Sequence, residues 1–221
     1  MDNITMNQIQ DFLKLEQPMS QNPVRFSNIV LLLKAARKLT GRNIETGIYE
    51  MNEINEEDIV NGLYHSFQYV GLINYLILLE QLGSIFSPKQ ETICSSNGIF
   101  CALTDFSELE DELKVGAIVA LRHSLTHKFG LATEKKKDRK KLQHKYILSI
   151  DRNSKIVEIP SNPWDGNYSD KSDGTSTTIF IKDLEELVEN IYQTIKTMLD
   201  KNELIVKIDL DELYSRYTMT Y

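Results

Sequence analysis

Residues 107–129 read SELEDELKVGAIVALRHSLTHKF. At about 100° per residue, Ala117, Ile118, Leu121, Ser124 and Leu125 fall on one side of a helix, and Arg122, His123, Thr126 and His127 fall within about 140° on the other. That spacing predicts an amphipathic helix with an aliphatic side turned to a core and an Arg/His side turned away from it. Ser107-Glu108-Leu109-Glu110 has the form of a capping box, in which the hydroxyl and the carboxylate satisfy two amides at the helix start.

Working outward, helical periodicity recurs over residues 5–17, 23–40 and 55–86, so the first 130 residues read as mostly helix. Asn22 and Pro23 mark the start of the second stretch and Gly41 its end. Asn55-Glu56-Glu57-Asp58 places acids at the positive end of the third, which must stop before Pro88. That third helix is apolar around more than one face, which suits either a central place in a bundle or a surface shared with another subunit. After Leu131 the texture changes. Tyr146–Ile150 and Lys155–Ile159 are two β-branched runs around the polar turn Asp151-Arg152-Asn153-Ser154, the signature of a β-hairpin. Residues 160–177 carry turn formers, Thr178–Ile181 suits a third strand, and Asp183 to about Leu199 is an amphipathic helix. The predicted architecture is mainly α: a single domain over 1–221. Its helical core covers about 5–131 and 182–200, with a small β-hairpin or three-strand insertion at about 132–181 and a C-terminal extension at 202–221 that mixes strand and helix signals.

The chain has 221 residues, 41% hydrophobic and 26% charged, which excludes disordered, collagenous and fibrous classes. Its 25 Lys and Arg against 32 Asp and Glu give −7, so only local basic patches can serve a nucleic acid. Cys94 and Cys101 lie in a polar stretch without zinc-ligand spacing and read as two reduced thiols. The stretch from Val70 to Leu79 is about half the length a bilayer needs, and no secretory pattern opens the chain; the expectation is a cytoplasmic protein with no membrane partner. No repeat, glycine-rich phosphate loop or metal cluster is evident, and neither cofactor nor metal is expected.

Chemistry concentrates in Leu121-Arg122-His123-Ser124-Leu125-Thr126-His127. Arginine holds phosphate oxygens through its planar fork, and histidine trades protons near neutral pH. Together they suit phosphodiester cleavage, in which a ribose 2′-hydroxyl attacks its own phosphate with the help of a base, an acid and a cation. A second copy of the pair, from a dimer partner, would supply the acid or base that one copy lacks. The pattern Arg, a polar residue, three further residues and His resembles that of the higher eukaryotes and prokaryotes nucleotide-binding (HEPN) family, over six residues of motif and, in architecture, about 20–131 and 182–200. The resemblance implies an all-helical, metal-independent endoribonuclease, a toxin or phage-defence effector with a composite site across a homodimer. Arg122 and His127 are then catalytic and His123 supports them. It also implies RNA as substrate and an antitoxin or defence-system protein as a further partner. In one family branch a tyrosine two residues after the histidine accepts a nucleotide; Phe129 stands there, which argues against that modification. The rival reading is a non-catalytic helical module that binds a protein or nucleotide in the same groove.

Lys135, Lys136, Lys137, Arg139, Lys140, Lys141 and Lys145 follow the motif closely and either guide an RNA backbone or form a solvated loop. His144 reads as a surface residue and His65 as an interior histidine satisfied by a partner. Trp164 with Tyr168 either stacks on bases or anchors its loop. Asp209-Leu210-Asp211-Glu212 reads as a helix cap rather than a cation site.

Overall fold

Val24 to Ser27 is where local pattern and actual conformation first part: these residues form a strand, not the first turn of a helix. The computed structural model describes residues 6–15, 18–21, 23–50, 57, 60–89, 93–133 and 143–220. Helices are α1 (Met6–Phe12), α2 (Asn28–Thr40), α3 (Leu63–Ile85), α4 (Gly98–Phe106), α5 (Glu112–Lys128), α6 (Ile181–Asp200) and α7 (Leu210–Tyr217). Strands are β1 (Ser20–Gln21), β2 (Val24–Ser27), β3 (Phe86–Pro88), β4 (Tyr146–Ser149), β5 (Val157–Glu158), β6 (Thr177–Phe180), β7 (Leu204–Val206) and β8 (Thr218–Thr220). The protein is mainly α, with small sheets of two or three strands. Residues 1–107 with 189–221 form one compact unit and 108–188 another, so α5 groups with the β4–β6 region rather than with α2 to α4.

In the first unit, α3 packs against both α2 and α4. Leu72, Tyr75, Leu76, Leu79 and Leu82 of α3 are fully buried, as are Ile29 and Leu33 of α2 and Ala102 and Leu103 of α4. The helix is thus central over its C-terminal part, whereas Leu63, Phe67 and Val70 near its start are exposed and His65 is a surface residue, not an interior one. Gly83 and Gly98 let α3 and α4 approach backbone to backbone. A Cβ on Gly83 would run into the Gly98 carbonyl, and one on Gly98 into the Glu80 carbonyl. Asn97 caps α4 by accepting from the Phe100 amide at 2.9 Å.

The sequence boundaries shift here for physical reasons. α2 begins at Asn28, because β2 pairs antiparallel with β8 at the far end of the chain and with β1. The expected start at Pro23 is therefore corrected; Gly41, left-handed at φ 78°, ends the helix as expected. Asn55, Glu56 and Asp58 lie outside the described residues. The capping box at Ser107 is also corrected. Ser107 closes α4, donating its Oγ hydroxyl to the Leu103 carbonyl at 2.6 Å, and Asp111 caps α5, accepting from the Leu113 and Lys114 amides at 3.0 and 3.3 Å. Cys94 and Cys101 are joined in a disulfide with Cα atoms 5.6 Å apart, which corrects the reading of two thiols. The turn before α4 folds Cys94 back onto the first helical turn, a proximity that their separation in sequence does not reveal.

In the second unit β6 lies between β4 and β5, parallel to the first and antiparallel to the second. The expected direct hairpin of 146–150 with 155–159 does not form. β6, paired on both edges, is the most buried of the three, with Thr177, Ile179 and Phe180 inside, while the half-exposed β4 and β5 flank it. The Tyr146 hydroxyl donates to the Ala117 carbonyl at 2.8 Å and so ties this sheet to α5; its burial pushes the phenol's pKa up.

Candidate functional site

α5 buries Val115, Ala117, Ile118, Leu121, Ser124 and Leu125, the aliphatic side that the helical wheel assigns to the core. Arg122 and Thr126 are half-buried, and His123 and His127 are exposed. His123 and His127 stand one turn apart with ring centroids 4.6 Å from each other and planes inclined at 53°. Thr126 turns its hydroxyl inward along the helix, donating to the Arg122 carbonyl at 2.8 Å. It therefore takes no place beside the imidazoles as a hydrogen-bonding group for a ligand.

The helix ends immediately after the motif. Phe129 adopts the left-handed conformation at φ 49°, its amide donates to the Leu125 carbonyl at 3.1 Å, and the Gly130 amide donates to the Ser124 carbonyl at 3.3 Å. This is a helix-closing turn built on a bulky residue where glycine is usual. Its effect is to place His127 and Lys128 in the last turn, where the helix dipole is negative and favours cations. An anionic substrate at this end is repelled by the dipole, so the side-chain cations must supply the attraction.

The basic residues Lys135, Lys136, Lys137, Arg139, Lys140 and Lys141 lie outside the described residues. Lys145 is described, and it is committed elsewhere: its ammonium donates to the Ser172 carbonyl at 2.6 Å and to the Asp170 carbonyl at 3.3 Å. His144 corrects its reading as a surface residue. It is 3% exposed, its Nδ1 lies 2.9 Å from the Thr177 hydroxyl, and its ring stacks on Tyr146 with centroids 5.4 Å apart. Burial lowers its pKa to about 4, so it sits neutral in the core as a structural group. Trp164 is buried and donates its indole N–H to the Asn167 carbonyl at 2.9 Å, while Tyr168 meets it edge-on and remains exposed. Anchoring of the loop, not base stacking, is the role of the tryptophan. Asp209 caps α7, accepting from the Glu212 amide at 2.8 Å, as its sequence context predicts.

A cavity of about 260 Å³ in the second unit is lined by Asp111, Lys114, Lys155, Glu158 and apolar neighbours. It lies at the opposite end of α5 from the Arg122–His127 turn, and its lysines already pair with acids, Lys114 with Asp111 at 3.6 Å and Lys155 with Glu158 at 3.2 Å. The motif lies in the last two turns of α5, with both of its imidazoles exposed. Among the described residues no three His, Cys, Asp or Glu side chains gather in a group able to hold a metal ion. No described helix is long and apolar enough to cross a membrane.

Sequence reading missed a buried, heavily bonded ion pair of the first unit. Arg37, fully buried, makes a two-pronged pair with Glu189, Nε to Oε1 at 2.9 Å and Nη2 to Oε2 at 2.7 Å, and its Nη1 donates to the Ile44 and Glu45 carbonyls. The Tyr75 hydroxyl donates to the same Glu189 carboxylate at 2.8 Å. Gly47, at φ 72°, passes directly over the pair; a Cβ there would lie 2.8 Å from the Arg37 guanidinium. The signal was present on α6, where Glu185 and Glu189, four residues apart, share the side of Leu184, Val188, Ile191 and Tyr192. Acids on an apolar face announce a buried partner.

Compared with family models, with curated proteins and with solved structures, the chain matches none.

Proposed function

We propose that this protein is a metal-independent endoribonuclease of HEPN type, in which Arg122 and His127 act on RNA and His123 supports them. The observation that carries the reading is the division of α5: every residue of its aliphatic side is buried, while His123 and His127 stand together in solvent at the end of the helix beside Arg122. Histidines held only for packing would be inside, as His144 is.

The chemistry follows from the side chains. His127 accepts the proton of a ribose 2′-hydroxyl, whose oxygen then forms a bond to the adjacent phosphorus. The guanidinium of Arg122 hydrogen-bonds the non-bridging oxygens and stabilises the charge that grows on them. The bond to the 5′-oxygen breaks, that oxygen takes a proton, and the products are a 2′,3′-cyclic phosphate and a 5′-hydroxyl. As the HEPN resemblance implies, the acid that protonates the leaving oxygen comes from a second copy of the pair, and the working unit in this reading is a homodimer. The basic run from Lys135 to Lys141 supplies the attraction for an RNA backbone that an acidic chain otherwise lacks. A toxin or defence role, with a protein partner that restrains the enzyme, accords with such an activity.

The test is cleavage of a structured RNA and a tRNA pool in EDTA by the wild type and by Arg122→Ala and His127→Ala. Cleavage by the wild type that each substitution lowers by about 10²- to 10⁴-fold is expected for loss of a proton-transfer group or a charge stabiliser. Wild-type cleavage that persists in both variants contradicts the assignment.

A further inference from the structure

His123 and His127 stand one turn apart on α5 with ring centroids 4.6 Å from each other. We propose that these two imidazoles bind a late first-row transition dication of tetragonal preference, Cu²⁺ or Ni²⁺, on the surface of α5. Such an ion lies about 2.0–2.1 Å from a ligating ring nitrogen and hence about 3.2 Å from the ring centroid; two rings at about 90° round a tetragonal ion then have centroids about 4.5 Å apart, against about 5.2 Å round a tetrahedral one. Those of His123 and His127 are 4.6 Å apart. Both rings are exposed, so an ion reaches them without disturbing the core. Neutral imidazole is a ligand that these metals favour over magnesium or calcium, which take oxygen ligands.

The location adds to the case. His127 is in the last turn of α5, where the helix dipole attracts a cation, although Arg122 and Lys128 oppose that attraction with their own charges. Because no third protein ligand gathers there among the described residues, water completes the coordination. A site with two protein ligands and open positions exchanges its metal, which distinguishes it from a structural site with a closed shell. The consequence for activity rests on the ribonuclease reading above. A His127 nitrogen whose lone pair is on a metal cannot accept the 2′-hydroxyl proton, so the ion acts as a reversible inhibitor and EDTA restores cleavage.

The experiment is calorimetric titration of the full chain with Cu²⁺ and, separately, Zn²⁺, for the wild type, His123→Ala, His127→Ala and the control His65→Ala, which alters another exposed histidine. One ion per chain is expected, Cu²⁺ more tightly than Zn²⁺. Each of His123→Ala and His127→Ala weakens binding at least tenfold and His65→Ala leaves it unchanged. In the wild type itself, substoichiometric Cu²⁺ broadens the imidazole proton signals of His123 and His127 before those of His65 and His144. Wild-type affinity retained in either α5 variant, or broadening that begins at another histidine, overturns the proposal. The two readings separate cleanly: metal binding without any RNA cleavage leaves this site standing and removes the ribonuclease, and cleavage without metal binding does the reverse.

Discussion

Arg37 and Arg122 each sit on a helix beside titratable groups, yet they differ in burial. Arg37 is fully buried, its guanidinium shared among Glu189 and two backbone carbonyls, with Tyr75 completing the carboxylate's bonds. Arg122 is half-buried on a turn with two exposed imidazoles. The histidines divide in the same way: His144 is neutral in a core between Thr177 and Tyr146, and His127 is in solvent. The residue types are the same; Arg37 is fully buried with its guanidinium bonded on every side and His144 is buried and neutral, whereas His123 and His127 face solvent.

The sharpest way to break that contrast is to remove one partner of the buried pair. Glu189→Ala leaves the Arg37 guanidinium inside without its carboxylate, and a loss of about 3–5 kcal/mol in unfolding free energy is expected from urea denaturation. A loss below about 1 kcal/mol would mean that the pair is solvated and that the contrast is drawn too strongly.

A smaller effect comes from His144. The unfolded chain takes up a proton near the ordinary histidine value, about 6.5, but the folded protein only near 4. Between these values the unfolded state binds more protons, so the stability due to a neutral His144 is complete above about pH 6.5 and is lost as pH falls towards 4, to the extent of about 3 kcal/mol. Denaturation curves at pH 7, 5.5 and 4.5 should show a steeper decline for the wild type than for His144→Gln, in which no imidazole remains to titrate. Parallel pH profiles would show that His144 is not held neutral by the fold.

The smallest expected effect is the most informative about the surface turn. His127→Ala and His123→Ala truncate exposed side chains, and the unfolding free energy should move by no more than about 0.5 kcal/mol. A substantially larger loss would place these histidines in the fold's support and weaken their assignment to chemistry.

How much of this was legible beforehand varies with the range of the interactions involved. The buried and exposed sides of α5 follow from spacing alone, because a helix fixes its faces locally. The end of α2 at Gly41 and the cap at Asp209 are likewise local and agree with the pattern, and α6 runs Ile181–Asp200 where the pattern predicts Asp183 to about Leu199. What failed depends on distant partners. Val24–Ser27 becomes a strand because Thr218–Thr220 pairs with it, and β4 and β5 are kept apart because Thr177–Phe180, distant from both in sequence, pairs with each of them. His144 looks like a surface residue beside a lysine-rich run until Thr177 and Tyr146 close around it. For the candidate site, the sequence supplied the residues and the face; the separation of the two imidazoles is the structure's contribution.

Whether Arg122 and His127 of α5 cleave RNA by transesterification, as proposed, is decided by the chemistry of the ends produced. A defined RNA is incubated with the wild-type protein in EDTA, and the fragments are resolved by mass spectrometry. The account predicts 2′,3′-cyclic phosphate on one side of each cut and 5′-hydroxyl on the other. Fragments carrying 3′-hydroxyl and 5′-phosphate, or an RNA recovered intact, would contradict it.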